Sequence, residues 1–297
     1  MSEPLLTVKD LDLTYPGVGF RRPASPVLKD VSLQLEAGQT LGLVGESGSG
    51  KTTLGRAILG LAAPTAGTIR FEGNDITHAK GTMRRRLSRD IQVVFQDPYS
   101  SLNPSMTIEA ILSEPLRTAG VPREEAAVRV RELLERVGLP ADAAQRLPRE
   151  FSGGQRQRVA IARALALQPK LIICDEPVSA LDLSTQAIVL DLLIDLQRTT
   201  GVAYLFISHD LAVVRYISHN VAVMYRGEIV ENGPAEQVTL EPEHPYTRKL
   251  LLAAPVPHPV RQAERRADRK RFQAALEEMN QQALLEPKSG EIPSSAR

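Results

Sequence analysis

An apolar run, Thr40-Leu41-Gly42-Leu43-Val44, leads into Gly45-Glu46-Ser47-Gly48-Ser49-Gly50-Lys51-Thr52, and helix-forming residues follow from Thr52 to Leu61. A buried strand, a Gly-x-x-x-x-Gly-Lys-Thr loop and a helix in that order form a phosphate-binding arrangement. The glycines let the backbone wrap closely, so that several N–H groups converge on one anion. The helix aims its positive end at the same point. Gly45, Ser47, Gly48, Ser49, Gly50, Lys51, Thr52 and Thr53 are therefore expected to cradle a nucleoside triphosphate. Lys51 would reach the outer phosphates and the Thr52 hydroxyl would ligate a magnesium ion.

The remaining composition sets limits. A chain of 297 residues with 42% hydrophobic content can bury a sizeable core. A formal net charge of +1 gives no global field to draw it to nucleic acid or an anionic bilayer. The single cysteine, Cys174, precludes an intramolecular disulfide and fits a reducing compartment. The opening residues Met-Ser-Glu-Pro-Leu-Leu lack the basic and apolar segments of a secretory signal, so none is expected. No apolar stretch approaches the roughly 18 residues that span a bilayer, so any membrane role is expected to come through a partner.

Leu5 to Leu13 and Val27 to Leu35 read as strands joined by a Pro/Gly/Arg-rich loop from Pro16 to Pro26. Gly67 to Phe71 and Ile91 to Phe95 are further strand candidates. From about 97 to 165 the chain becomes rich in helix formers, and Ala127, Val130, Leu133, Leu134 and Val137 make a helical stripe. This segment is expected to be a helical subdomain inserted into an α/β core. Strand and helix then alternate: Leu171 to Cys174, Thr185 to Arg198, Ala203 to Ile207 and Leu211 to Ser218. A hairpin of Val221 to Tyr225 and Glu228 to Val230 turns at Arg226-Gly227. The unalternating apolar strands predict a mostly parallel sheet covered on both faces. Beyond 258 charges of both signs crowd together, with a solvated helix followed by disorder expected.

Leu171-Ile172-Ile173-Cys174-Asp175-Glu176 is an apolar strand ending in two acids. Beside a phosphate loop, Asp175 is placed to hold the metal and Glu176 to accept a proton from attacking water. Upstream, Phe151-Ser152-Gly153-Gly154-Gln155-Arg156-Gln157-Arg158 opens a helix of about Gln155 to Leu167, with Ser152 as its cap and an anion-binding end. This run resembles the signature motif of ATP-binding cassette (ABC) transporter ATPases, and the resemblance covers about residues 5–257. It implies a P-loop core with a mostly parallel sheet, an antiparallel β subdomain and the inserted helical subdomain. It further implies that Ser152, Gly153, Gly154 and Gln155 contact the γ-phosphate of ATP bound by a second cassette. Gln96 resembles the glutamine that touches magnesium and senses the membrane partner. Asp182, in Ser179-Ala180-Leu181-Asp182, resembles a residue of the dimer seam. His209 resembles the switch histidine at the γ-phosphate, and Tyr15 the aromatic that stacks on adenine. Glu176, His209, Gln96 and Lys51 are thus the expected catalytic set, and Thr52, Gln96 and Asp175 the expected magnesium set.

Val94 to Pro104, Arg149-Glu150-Phe151 and the run His244 to Leu251 followed by Ala253-Ala254-Pro255 are similar to ATPases serving oligopeptide, dipeptide and nickel importers. The implied partners are integral-membrane permease subunits, a second ABC ATPase subunit (a heterodimer favoured over a homodimer) and, indirectly, a periplasmic or extracellular solute-binding protein, with no nucleic acid. The implied location is the cytoplasmic face of the inner membrane. One competing reading is the ATPase of an importer for another cargo such as nickel; the other is a soluble ABC-type ATPase acting on ribosomes or DNA. Such proteins usually carry two cassettes or a long coiled-coil insertion, and neither is visible here.

Overall fold

The computed structural model describes residues 3–16, 24–97 and 101–253. The middle of the expected loop between Pro16 and Pro26, the run Pro98 to Ser100, Ala254-Pro255 and the charged 258–297 extension lie outside the described residues.

Two sheets carry the described residues. β1 (Leu6–Tyr15) and β2 (Ser25–Leu35) pair antiparallel, and with β4 (Ala66–Phe71) and β5 (Asn74–Asp75) they form a four-stranded sheet ordered β2-β1-β4-β5. The larger sheet has six strands ordered β10-β9-β3-β8-β7-β6. Here β3 (Thr40–Val44), β6 (Ile91–Val94), β7 (Leu171–Asp175), β8 (Ala203–Ser208) and β9 (Asn220–Tyr225) run parallel, and β10 (Glu228–Pro234) returns antiparallel beside β9.

The lack of alternation in the central strands has the predicted cause. Leu171 and Ile173 join Leu41, Leu43, Leu205 and Ile207 on the face toward α1 (Lys51–Ile58) and the antiparallel sheet. Ile172 and Cys174 join Val44, Tyr204 and Phe206 on the opposite face, packed with the later helices. With both faces dry, the side chains of residues 171–174 and 203–207 have to be mainly apolar, and the polar residues Asp175 and Ser208 come only at the strand ends. Burial also pushes the Cys174 thiol far above its usual range, which makes it an inert core residue.

The helical segment holds α3 (Ile108–Thr118), α4 (Arg123–Arg136), two short 3-10 turns and α5 (Gly153–Leu165). On α4 the buried stripe is Ala126, Val130, Leu133 and Leu134, continued by Val137, so Ala126 takes the place expected for Ala127. α1 begins at Lys51, one residue earlier than expected, and ends at Ile58, three residues earlier. α2 (Gly81–Asp90) has no counterpart in the sequence reading. The remaining helices are α6 (Leu183–Thr200), α7 (Leu211–Ile217), α8 (Ala235–Leu240) and α9 (Pro245–Ala253). No helix among the described residues is long and apolar enough to cross a membrane.

Candidate active site

The C-terminal ends of β3, β7 and β8 meet at one edge of the parallel sheet, where ligands of open α/β folds bind. A cleft of about 860 Å³ opens there, lined by Ser47, Gly48, Gly50, Lys51, Thr52, Thr53, Gln96, Glu176 and His209, together with Val27, Glu46, Asp210, Leu211 and Leu250. The parallel topology thus brings together residues more than a hundred positions apart in the chain.

The loop is held from beneath. Lys51 Nζ donates to Gly45 O at 2.7 Å, Glu46 O at 2.9 Å and Ser49 Oγ at 3.4 Å. Gly45 and Ser49 therefore support the lysine from below the cleft lining. Gly50 caps α1 with φ 113°, a conformation that a side chain would strain. Burial holds the Lys51 ammonium below its ordinary pKa, opposed by the nearby carboxylates of Glu176, Asp175 and Glu46. A buried cation with mostly carbonyl partners is suited to an incoming anion.

β7 delivers the two acids to different places. Asp175 Oδ1 accepts from the Thr52 hydroxyl at 3.0 Å. Its pKa is raised by burial, and the neighbouring Glu176 carboxylate adds to the rise. Two hard oxygen donors under electrostatic pressure are a fit for a small divalent cation that takes most of its other ligands from phosphate and water. Glu176 leaves the strand with φ 49°, the left-handed region. Such a residue costs of order 1–3 kcal/mol and persists only where its surroundings fix it. Here its N–H donates to Ile207 O at 2.9 Å and its carbonyl accepts from the Ser179 hydroxyl at 3.0 Å. The turn points the carboxylate into the cleft, where Oε2 accepts from Gln96 Nε2 at 3.2 Å and lies 3.2 Å from His209 Nδ1. A hydrogen bond to that histidine requires its Nδ1 tautomer or its protonated form.

The signature residues stand elsewhere. Ser152 caps α5, its hydroxyl accepting from Gln155 N at 3.3 Å, while the Gln155 side chain accepts from Ser152 N at 2.9 Å. This reciprocal capping box leaves Ser152 exposed at the helix end. Gly154 packs so tightly on α6 that a β-carbon there would lie 2.2 Å from Thr185 Cγ2. None of Ser152, Gly153, Gly154 and Gln155 lines the cleft around Lys51. Tyr15 is also outside the lining, half-exposed at the end of β1 and paired with Ser25. Asp182 caps α6, accepting from Ser184 N at 3.1 Å and Thr185 N at 3.0 Å.

A model of the ABC transporter family matches residues 28–179, about half the chain. The chain belongs to the ABC transporter family. Two curated members, the glutathione import ATP-binding proteins GsiA of Escherichia coli O6:H1 and of Escherichia coli K12, are 56% and 55% identical to this cassette over 270 residues. Those alignments take in 89% of this chain and 43% of each relative, so the cassette spans less than half the length of the curated relatives it matches. Among solved structures, cbiO1 from Clostridium perfringens, part of the ABC transporter complex cbiONQ, matches with a TM-score of 0.72 at 28% identity, covering 85% of this chain and 96% of cbiO1. An ATP-binding cassette solved as a dimer in a post-hydrolysis state with ADP and Pi matches with a TM-score of 0.69 at 31% identity, covering 77% of this chain and 98% of that one. The fold is that of an ABC ATPase domain: a P-loop core with a mostly parallel sheet, an antiparallel sheet and a helical segment.

Sequence reasoning left five lining residues of this cassette unassigned, one of which, Glu46, sits inside the loop motif itself. Asp210 and Leu211 follow His209 directly and could have been found from it. Val27 and Leu250 carry no motif signal, and only the fold brings them to the loop.

Proposed function

We propose that this cassette hydrolyses ATP as one of a pair that powers an importer. The observation that carries the reading is Glu176, forced into the cleft by its strained backbone and held by Gln96 and His209 opposite Lys51 and Thr52. Phosphoryl transfer to water asks the protein mainly for positioning and charge stabilisation. Lys51 and the loop amides would hold the phosphates, while Thr52, Asp175 and Gln96 would hold magnesium. The bound Mg-ATP supplies the phosphoryl group and the metal charge that offsets its negative oxygens. Glu176 orients water and takes its proton at the carboxylate, with His209 fixing that carboxylate from the other side.

Ser152 and the α5 N-terminus form a second anion site outside the cleft, which makes sense when they serve the nucleotide of a neighbouring cassette. Closure of two such chains, a heterodimer favoured over a homodimer, would contact each ATP from both sides, and only that differential contact lets ATP shift the equilibrium. The helical subdomain of about 97–165, attached beside Gln96, would pass closure to integral-membrane permease subunits. The chain would then act at the cytoplasmic face of the inner membrane. Similarity to glutathione import proteins supports a peptide-like cargo, which a periplasmic or extracellular solute-binding protein would deliver.

Glu176→Gln keeps shape and hydrogen bonding but removes the base. It should lower turnover by about 10²–10⁴-fold while ATP affinity stays at the wild-type value. Normal steady-state hydrolysis by this variant would remove Glu176 from the role. Membrane co-purification tests the assembly: recovery with permease chains supports it, and recovery with ribosomes and no permease contradicts it.

A further inference from the structure

Helix α9 has no part in the chemistry above, yet it touches the entry of the phosphate loop. Tyr246 Oη accepts a hydrogen bond from Glu46 N–H at 2.8 Å, across 200 residues of chain. Lys249 Nζ lies 3.6 Å from Glu46 Oε1, and Leu250 lines the cleft itself. Glu46 is the first residue after Gly45, where the chain leaves β3 and begins to curl round the anion site.

The hydroxyl is held from the sheet side. The buried Tyr246 ring lies 4.2 Å from Tyr225 at a tilt of 33°, and Tyr225 ends β9, the parallel neighbour of β3. The turn into α9 is fixed by Glu231 on β10, whose carboxylate accepts from Glu243 N at 2.8 Å and His244 N at 3.1 Å. His244 Nδ1 in turn accepts from Tyr246 N at 3.2 Å. The same sheet therefore positions both the loop and the group that restrains it. Stacking alone would be met by phenylalanine, so the hydroxyl is the feature that α9 adds to the loop.

From this geometry we infer that Tyr246 is a positioning residue for the phosphate loop, and that α9 thereby sets the affinity of the cassette for nucleotide. The inference rests on reading the cleft as the ATP site. A loop that binds phosphate through backbone amides must have them aligned beforehand, and ligand affinity falls in proportion to the fraction that is aligned. In a loop that is mostly unaligned before ATP binds, losing one neutral hydrogen bond at its entry lowers that fraction about three- to tenfold.

The test uses the full chain and Tyr246→Phe, which keeps the ring and its stacking. The Kd for ATP should rise about three- to tenfold, with kcat at saturating ATP unchanged. Hydrogen exchange at the Glu46 amide should accelerate while the amides of β3 keep their protection. Lys249→Gln, which removes only the exposed ion pair, should change Kd by no more than about twofold. Wild-type Kd and Glu46 protection in Tyr246→Phe, in a preparation where Lys51→Ala abolishes binding, overturns the role of Tyr246 and leaves the site reading intact. A wild-type chain that binds no ATP overturns both. Equal losses in Tyr246→Phe and Lys249→Gln would assign the effect to charge and refute the hydroxyl's role.

Discussion

Gly154→Ala adds one methyl group at the place where the signature helix meets α6. The new carbon would sit 2.2 Å from Thr185 Cγ2, about 1.2 Å short of ordinary contact at 3.4 Å. Thr185 cannot easily yield, because it is β-branched and its hydroxyl donates to Asp182 Oδ2 at 2.7 Å. The start of α5 must therefore move. Overpacking of this kind costs about 1–3 kcal/mol, and the better helix propensity of alanine returns up to about 1 kcal/mol. Net stability should fall by about 0–3 kcal/mol, and Ser152 is displaced with the helix. A misplacement near 1 Å costs about 10²-fold in rate. ATPase assays should therefore show a loss of that order under conditions where the variant, with its lowered denaturation midpoint, is still fully folded. Thr185→Ser removes the obstructing methyl and keeps the hydroxyl, leaving the new carbon's next contact at 3.6 Å. The double variant should recover most of the activity. Wild-type turnover in Gly154→Ala, or no recovery in the double variant, would refute the link between this packing and the placement of Ser152.

The Asp182 carboxylate is held well below the ordinary aspartate range, by the Ser184 hydroxyl first and then by the hydroxyl and N–H of Thr185. Its folded value is depressed, so its contribution is present above the unfolded value of 3.8 and is lost as the pH falls through the folded one. Urea midpoints should show the wild type more stable than Asp182→Ala at neutral pH, with the gap narrowing at acidic pH; a constant gap would argue against the capping carboxylate. Leu134→Ala empties a fully buried position of the helical segment and should cost about 2–5 kcal/mol, read as a lower denaturant midpoint. An unchanged midpoint would mean that α4 does not share the core with α3 and α5.

Residues whose role depends on burial were readable from the sequence because their environment is uniform. Leu171 to Cys174 and Ala203 to Ile207 face dry surfaces on both sides, so their apolar runs announce a central parallel sheet. Helix α2 was not readable: only Leu87 is buried, and the arginines around it erase the periodic signal. α6 begins at Leu183 rather than Thr185 because Asp182 caps it, a role hidden behind its resemblance to a seam residue. The phosphate loop, Asp175 and Glu176 announced themselves by residue type and spacing. The left-handed turn at Glu176 did not, since it is imposed by pairing with Ile207 on another strand. Tyr246 was noticed only as part of a run shared with relatives, and its contact with Glu46 is too remote in sequence for any local pattern to report.

In the proposed mechanism this cleft is completed by the signature helix of a second cassette. A cryo-microscopy map of Glu176→Gln trapped with Mg-ATP in its assembled form tests it directly. Ser152 Oγ should lie at hydrogen-bond distance, about 2.5–3.0 Å, from an oxygen of a γ-phosphate held by the other cassette's phosphate loop. ATP wholly enclosed by one chain, with Ser152 remote from every γ-phosphate, would contradict it.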